Sequence, residues 1–66
     1  MKGEFEEFSE IFLKKYNMKA WIVDKYWRED LKEYIYCIEL DKSLNDDPGD
    51  LLVYSLTYDD IQKMMN

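Results

Sequence analysis

In the opening stretch KGEFEEFSEIFLKKYN the apolar residues Phe5, Phe8, Ile11, Phe12 and Tyr16 recur at intervals of three and four. That spacing is one stripe of an α-helix. Glutamates fill its first half, and Lys14 and Lys15 stand in what would be its last turn, an ordering that complements the helix dipole. Asn17 is a suitable stop. The pattern predicts a helix over 3–17, with Phe8 and Phe12 buried beneath it.

Beyond Asn17 the period falls to two. From Met18 to Trp27, and again from Glu33 to Asp41, β-branched and aromatic residues dominate. REDLK between them is short and polar, so these two strands, 18–27 and 33–41, should form an antiparallel hairpin. In EYIYCIELD the even positions Tyr34, Tyr36, Ile38 and Leu40 form one apolar face, expected to meet the helix, while Ile35 and Cys37 point the other way. SLNDDPGD must turn, with Pro48-Gly49 suited to the centre of a type II turn. LLVYSLT reads as a third strand, 51–57. Thr57 is then an N-cap, with Asp60 as capping-box partner, for a helix over 58–65 presenting Ile61, Met64 and Met65. The predicted fold is a single α+β domain, 1–66, in the order α-β-β-β-α: an N-terminal helix on a three-stranded antiparallel sheet, with a short C-terminal helix.

WIVDKYW, Trp21 to Trp27, complicates this picture. In a strand it sends Trp21, Val23, Lys25 and Trp27 to one face and Ile22, Asp24 and Tyr26 to the other, so both faces carry large apolar groups. A chain of 66 residues has little with which to cover two faces of a sheet. Its one cysteine cannot close an intrachain disulfide, and without histidine there is no Cys/His zinc set. A partner surface on the sheet is expected: either a homodimer through the Ile35/Cys37 face or a strand edge, or a target protein.

Charge narrows the partner. The net charge of −6 disfavours direct binding of nucleic acid or anionic membrane. After residue 40, six aspartates stand against two lysines. Asp46, Asp47, Asp50, Asp59 and Asp60 are therefore expected to form an acidic surface, with Trp27 and Tyr58 as aromatic anchors.

Catalysis is not expected, because the absence of histidine removes the commonest general base and the Ser/His and Cys/His pairs. Gly3 and Gly49 stand too far apart to build a phosphate-binding loop. Asp41, Ser43, Asn45 and Asp47 echo a calcium loop, but Asp46 replaces its glycine and Leu52 occupies its twelfth position, so neither metal nor cofactor is expected. With no signal-like segment and a lone thiol, the cytoplasm is the expected compartment.

The function expected from these features is that of a small, acidic, non-enzymatic protein-binding module. It resembles in style the inhibitors that phages and mobile elements make against host defence or nucleic-acid-handling proteins, without a motif that ties it to a family. The alternative is a homodimeric adaptor, regulatory or immunity-type protein with no nucleic-acid mimicry.

Overall fold

A computed structural model of the chain describes residues 3–43 and 49–66. Four strands, β1 (Glu10–Leu13), β2 (Met18–Arg28), β3 (Glu33–Leu40) and β4 (Leu52–Leu56), precede one helix, α1 (Tyr58–Met65). The strands form one antiparallel sheet in the order β1-β2-β3-β4, so neighbours in sequence are neighbours in space. α1 packs against β1 and β3.

The helix expected over 3–17 is replaced by an irregular segment and β1, which corrects the α-β-β-β-α order to β-β-β-β-α. Within EIFL the alternation decides: Ile11 and Leu13 are buried, Leu13 completely, whereas Phe12 is 48% exposed. Phe8, placed by the helical stripe in the core, is 75% exposed. Leu13 was never on that stripe. An isolated helix of about 15 residues is marginal in water, and Phe5, Phe8, Phe12 and Tyr16 are aromatics that lose rotamer freedom in a helix but suit a pleated surface. Pairing with β2 satisfies one side of the β1 backbone and seats Ile11 opposite Ala20 and Leu13 opposite Met18.

Asn17 does terminate a structure, but a different one. Leu13 pairs with Met18 and Arg28 with Glu33, so residues 14–17 and 29–32 form two four-residue hairpin loops. Both follow one plan. Tyr16 N–H donates to the Leu13 carbonyl at 3.2 Å and Leu31 N–H to the Arg28 carbonyl at 3.2 Å. The last loop residue, Asn17 or Lys32, is left-handed, with φ of 53° and 55°. This is the turn-plus-left-handed residue that reverses a twisted strand pair. Asparagine tolerates it as readily in a hairpin as after a helix.

One face of the sheet forms the core. Ile11, Leu13, Ala20, Ile22, Tyr36, Ile38, Leu40 and Leu56 pack with Ile61 and Met64 of α1, and Phe5, Tyr34 and Tyr58 close the margin. Two bulges shift the faces. Ile22 pairs with Ile38 but Asp24 pairs with Cys37, so Val23 is the extra residue; beyond it Lys25 and Trp27 join the core-side face opposite Tyr36 and Tyr34. In β4 the register slips between Val53, opposite Ile38, and Leu56, opposite Tyr36, with Ser55 at φ 60°. Neither edge strand is long or flat: β1 has four residues and β4 has five with a bulge. Short or bulged edges of this kind are poor templates for strand addition.

α1 begins with a capping box. Thr57 Oγ1 accepts from Asp60 N–H at 3.1 Å, and the Asp60 carboxylate accepts from Thr57 N–H at 3.0 Å. Asp59 and Asp60 lie in its first turn and Lys63 in its last, in keeping with the helix dipole. Ile61 and Met64 are its buried residues. No helix among the described residues is long and apolar enough to cross a membrane.

Candidate functional site

The two sheet faces differ in cover. Ladder register places Phe12 on β1, Trp21 and Tyr26 on β2, Ile35 and Cys37 on β3, and Leu52 and Tyr54 on β4 opposite the core side. Among the described residues no helix lies over them. Ile35 and Cys37 are nevertheless buried, at 4% and 7% exposure, at the centre of the patch, while Phe12, Tyr26, Leu52 and Tyr54 are exposed around them. Glu10, Asp24, Glu33 and Glu39 share this face with Lys19 and Arg28, four carboxylates against two basic groups.

Cys37, singled out from the sequence as a possible interface residue, sits directly opposite Asp24 and two positions from Glu39. Burial pushes its thiol pKa up, and the two carboxylates push it further in the same direction. Such a thiol stays protonated and is a packing group rather than a nucleophile.

Phe8 stands two residues before β1 in a strained conformation. Its N–H donates to the Ile22 carbonyl at 2.5 Å, and Ile22 N–H donates to the Ser9 carbonyl at 3.0 Å, so Phe8 and Ser9 together face Ile22 as a bulge. Phe8 has φ 64° there, where glycine is usual. A left-handed non-glycine residue costs about 1–2 kcal/mol, and a mostly exposed ring recovers little of that by packing. Strain of this kind concentrates at functional positions.

The other expected anchors, Trp27 and Tyr58, come together on the core-side face, where α1 no longer covers the hairpin end of the sheet. They line one cavity of about 440 Å³ together with Tyr34, Tyr36, Leu31, Gly3, Glu4, Lys32 and Glu33. Five rings run in contact from Trp27 through Tyr34, Tyr36 and Phe5 to Tyr58. Trp27 meets Tyr34 edge-on at 5.2 Å, and Phe5 stacks on Tyr58 at 4.8 Å between centroids. Polar tips fix the rings: Tyr36 Oη accepts from Phe5 N–H at 3.0 Å, Tyr58 Oη accepts from Gln62 Nε2 at 2.9 Å, and Trp27 Nε1 donates to Glu29 at 2.7 Å. Gly3 is required by close approach, since a Cβ there would lie 2.6 Å from Tyr58 Oη and 2.7 Å from its Cζ.

Lys25 fastens the N-terminal segment to this wall. Its Nζ pairs with the Glu4 carboxylate, donates to the Phe5 carbonyl at 3.2 Å and stands 4.6 Å from the Tyr34 ring centroid. The hydrogen bond to Glu4 raises the Lys25 pKa, with smaller electrostatic contributions from Glu4, Tyr34 and Tyr36 in the same direction.

The aspartates expected to form the acidic surface are not gathered at either place. Asp60 is occupied in the capping box, Asp59 shares its turn, and Asp50 is exposed at the far end of the β3–β4 connection. Asp46, Asp47 and the Pro48 half of the expected type II turn lie outside the described residues, as do Asn45 and Asp47 of the calcium-loop echo. Among the described residues no group of three or more acidic or thiol side chains is placed to hold a metal ion. The carboxylates that do adjoin apolar surfaces, Glu4, Glu10, Glu33 and Glu39, belong to the strands and to the N-terminal segment. The expected N-terminal helix assigns Glu4 and Glu10 to its dipole, and the sequence pattern gives Glu33 and Glu39 no role.

No protein-family model, curated protein or solved structure matches the chain.

Proposed function

We propose that this chain is a non-enzymatic protein-binding module whose uncovered sheet face docks on a basic, partly apolar protein surface. The carrying observation is the patch around Ile35 and Cys37: aromatic and aliphatic side chains from all four strands, flanked by Glu10, Asp24, Glu33 and Glu39 against Lys19 and Arg28. The rings supply area that loses water on contact, and the carboxylates steer lysine- or arginine-bearing surfaces toward it. Surfaces of that composition are characteristic of proteins that handle nucleic acid. Covering one would inhibit it, which makes an antagonist of a host defence or nucleic-acid-handling protein, of the type phages produce, the specific form of this function. The cytoplasm is its compartment in this reading.

The test uses the whole chain as immobilised bait in host extract, in four versions: parent, Tyr54→Ser, Phe8→Gly and Asp59→Asn. A basic protein retained by the parent and by Asp59→Asn, but lost with Tyr54→Ser, is the expected result. Phe8→Gly should leave the fold as stable or more so, because glycine accepts the backbone that Phe8 strains, so its retention reads whether the Phe8 ring belongs to the docking surface. Equal retention by parent and Tyr54→Ser would remove the face from the function. Sedimentation equilibrium on the same proteins covers the second occupant. A parent dimer at micromolar concentration that Tyr54→Ser converts to monomer would mean that another copy of the chain takes the face, and the adaptor function would replace the antagonist.

A further inference from the structure

We propose that the aromatic cavity at the hairpin end of the core-side face binds an alkylated ammonium group, independently of the uncovered face. Ring faces attract cations through their quadrupoles, and the effect grows when the rings exclude water from the cation. Trp27, Tyr34 and Tyr58 supply the ring surface, and Glu4 and Glu33 the carboxylates, around a space of about 440 Å³. That volume lies in the range of small-ligand sites, about 300–1,000 Å³.

The molecule already performs this chemistry one residue away. Lys25 Nζ, which does not line the cavity, rests over the Tyr34 ring at 4.6 Å while paired to Glu4. It shows what a bare ammonium requires here, namely oxygen acceptors for its protons, and it takes them from Glu4 and the Phe5 carbonyl. A fully alkylated ammonium has no protons to donate and is satisfied by ring faces alone. The tyrosine oxygens also favour it, since Tyr36 Oη and Tyr58 Oη are already engaged by Phe5 and Gln62.

Charge does not oppose a cation: Glu4 and Glu33 line the cavity with Lys32, and Lys32 is turned onto Glu29. The rings need little reorganisation on binding, because their polar tips are tied down before the ligand arrives, and a preformed site loses less on ordering.

The experiment is a titration with choline, followed by tryptophan fluorescence in a Trp21→Phe variant so that Trp27 alone reports. Its control is 3,3-dimethylbutan-1-ol, which has the shape of choline without the charge. Choline should give a saturable change in the millimolar range at constant ionic strength, and the neutral alcohol should bind at least tenfold more weakly. Tyr34→Leu should weaken choline by about 2- to 30-fold, whereas Tyr54→Ser, on the opposite face, should leave it unchanged. Saturation-transfer NMR on the choline methyl protons with the unmodified chain gives a readout that depends on no variant. No saturation with choline, or equal binding of the neutral alcohol, would overturn the proposal. A peptide carrying trimethyllysine, run in parallel, separates the sources. Binding at least tenfold tighter than choline assigns the site to a modified protein side chain, and equal or weaker binding assigns it to a free small molecule.

Discussion

Leu13 and Phe12 are adjacent, and they separate the observed strand from the helix that the apolar spacing predicts. Leu13 is completely buried between the sheet and α1, so Leu13→Ala removes buried methylenes and leaves a cavity, a change that costs about 2–5 kcal/mol. Phe12 is 48% exposed on the uncovered face. Fully burying such a side chain is worth about 1.5–3 kcal/mol, so a ring half in water contributes about half of that, and its truncation encloses no void. Phe12→Ala should therefore cost about 1 kcal/mol. For a domain of this size, 1 kcal/mol shifts the melting temperature by about 4–8 °C. Total stability is about 3–5 kcal/mol for a core this small, so Leu13→Ala should melt more than 10 °C below the parent or fail to fold, while Phe12→Ala stays folded. Thermal unfolding by circular dichroism, with urea titration as a second measure, gives both values. A Phe12→Ala variant less stable than Leu13→Ala would show that the three-and-four stripe is buried and that β1 is misassigned.

Two further predictions concern ionisable groups. Because burial, Asp24 and Glu39 all raise the Cys37 thiol pKa, its alkylation by iodoacetamide should be slow at pH 8 and rise only above the ordinary thiol range, with Asp24→Asn lowering the onset; a folded chain alkylated as fast as the urea-unfolded one would refute this. In the β2–β3 loop the hydrogen bond from Lys32, then that from Trp27, lowers the Glu29 pKa, and the hydrogen bond from Arg28 lowers that of Asp30. The folded values lie below the unfolded ones, so the stabilisation from these pairs is complete above the ordinary carboxylate range and is lost as pH falls through the folded values. Carbon-13 titration of the two carboxyl groups should show midpoints below those of an unfolded peptide, and Lys32→Ala should return most of the Glu29 shift.

Legibility in the sequence followed the length of each pattern. The alternations over 18–27 and 33–41 are long enough to fix strand type, and they coincide with β2 and β3. Thr57 and Asp60 carry a local mechanism, two backbone N–H groups satisfied reciprocally, and so announce α1 without tertiary context. The first seventeen residues do not. A four-residue strand offers only two inward positions, Ile11 and Leu13, and the surrounding aromatics imitate a helical stripe by chance of spacing. Their true constraint is pairing with β2, a tertiary contact that no local pattern encodes. The bulge at Val23 was equally silent, yet it decides the site. Without it Trp27 would stay on the face of Trp21; with it, Trp27 crosses to face Tyr34 and completes the cavity wall.

The loss of the N-terminal helix reverses what can be hidden. With two helices a 66-residue chain could cover one face and part of the other; with one helix of eight residues it covers one face only. β2 and β3 nevertheless carry large apolar residues on both sides, and burying a second face to no purpose would be avoidable, since polar alternation is the ordinary solution for a half-solvated antiparallel sheet. The chain instead carries a net charge of −6, with acidic residues in strands, loops and helix start. A bulge in β4 and the shortness of β1 blunt the edges as templates for strand addition. Glycine at the Phe8 bulge would be the stabilising choice, since a mostly exposed phenylalanine recovers little of the cost of its left-handed backbone.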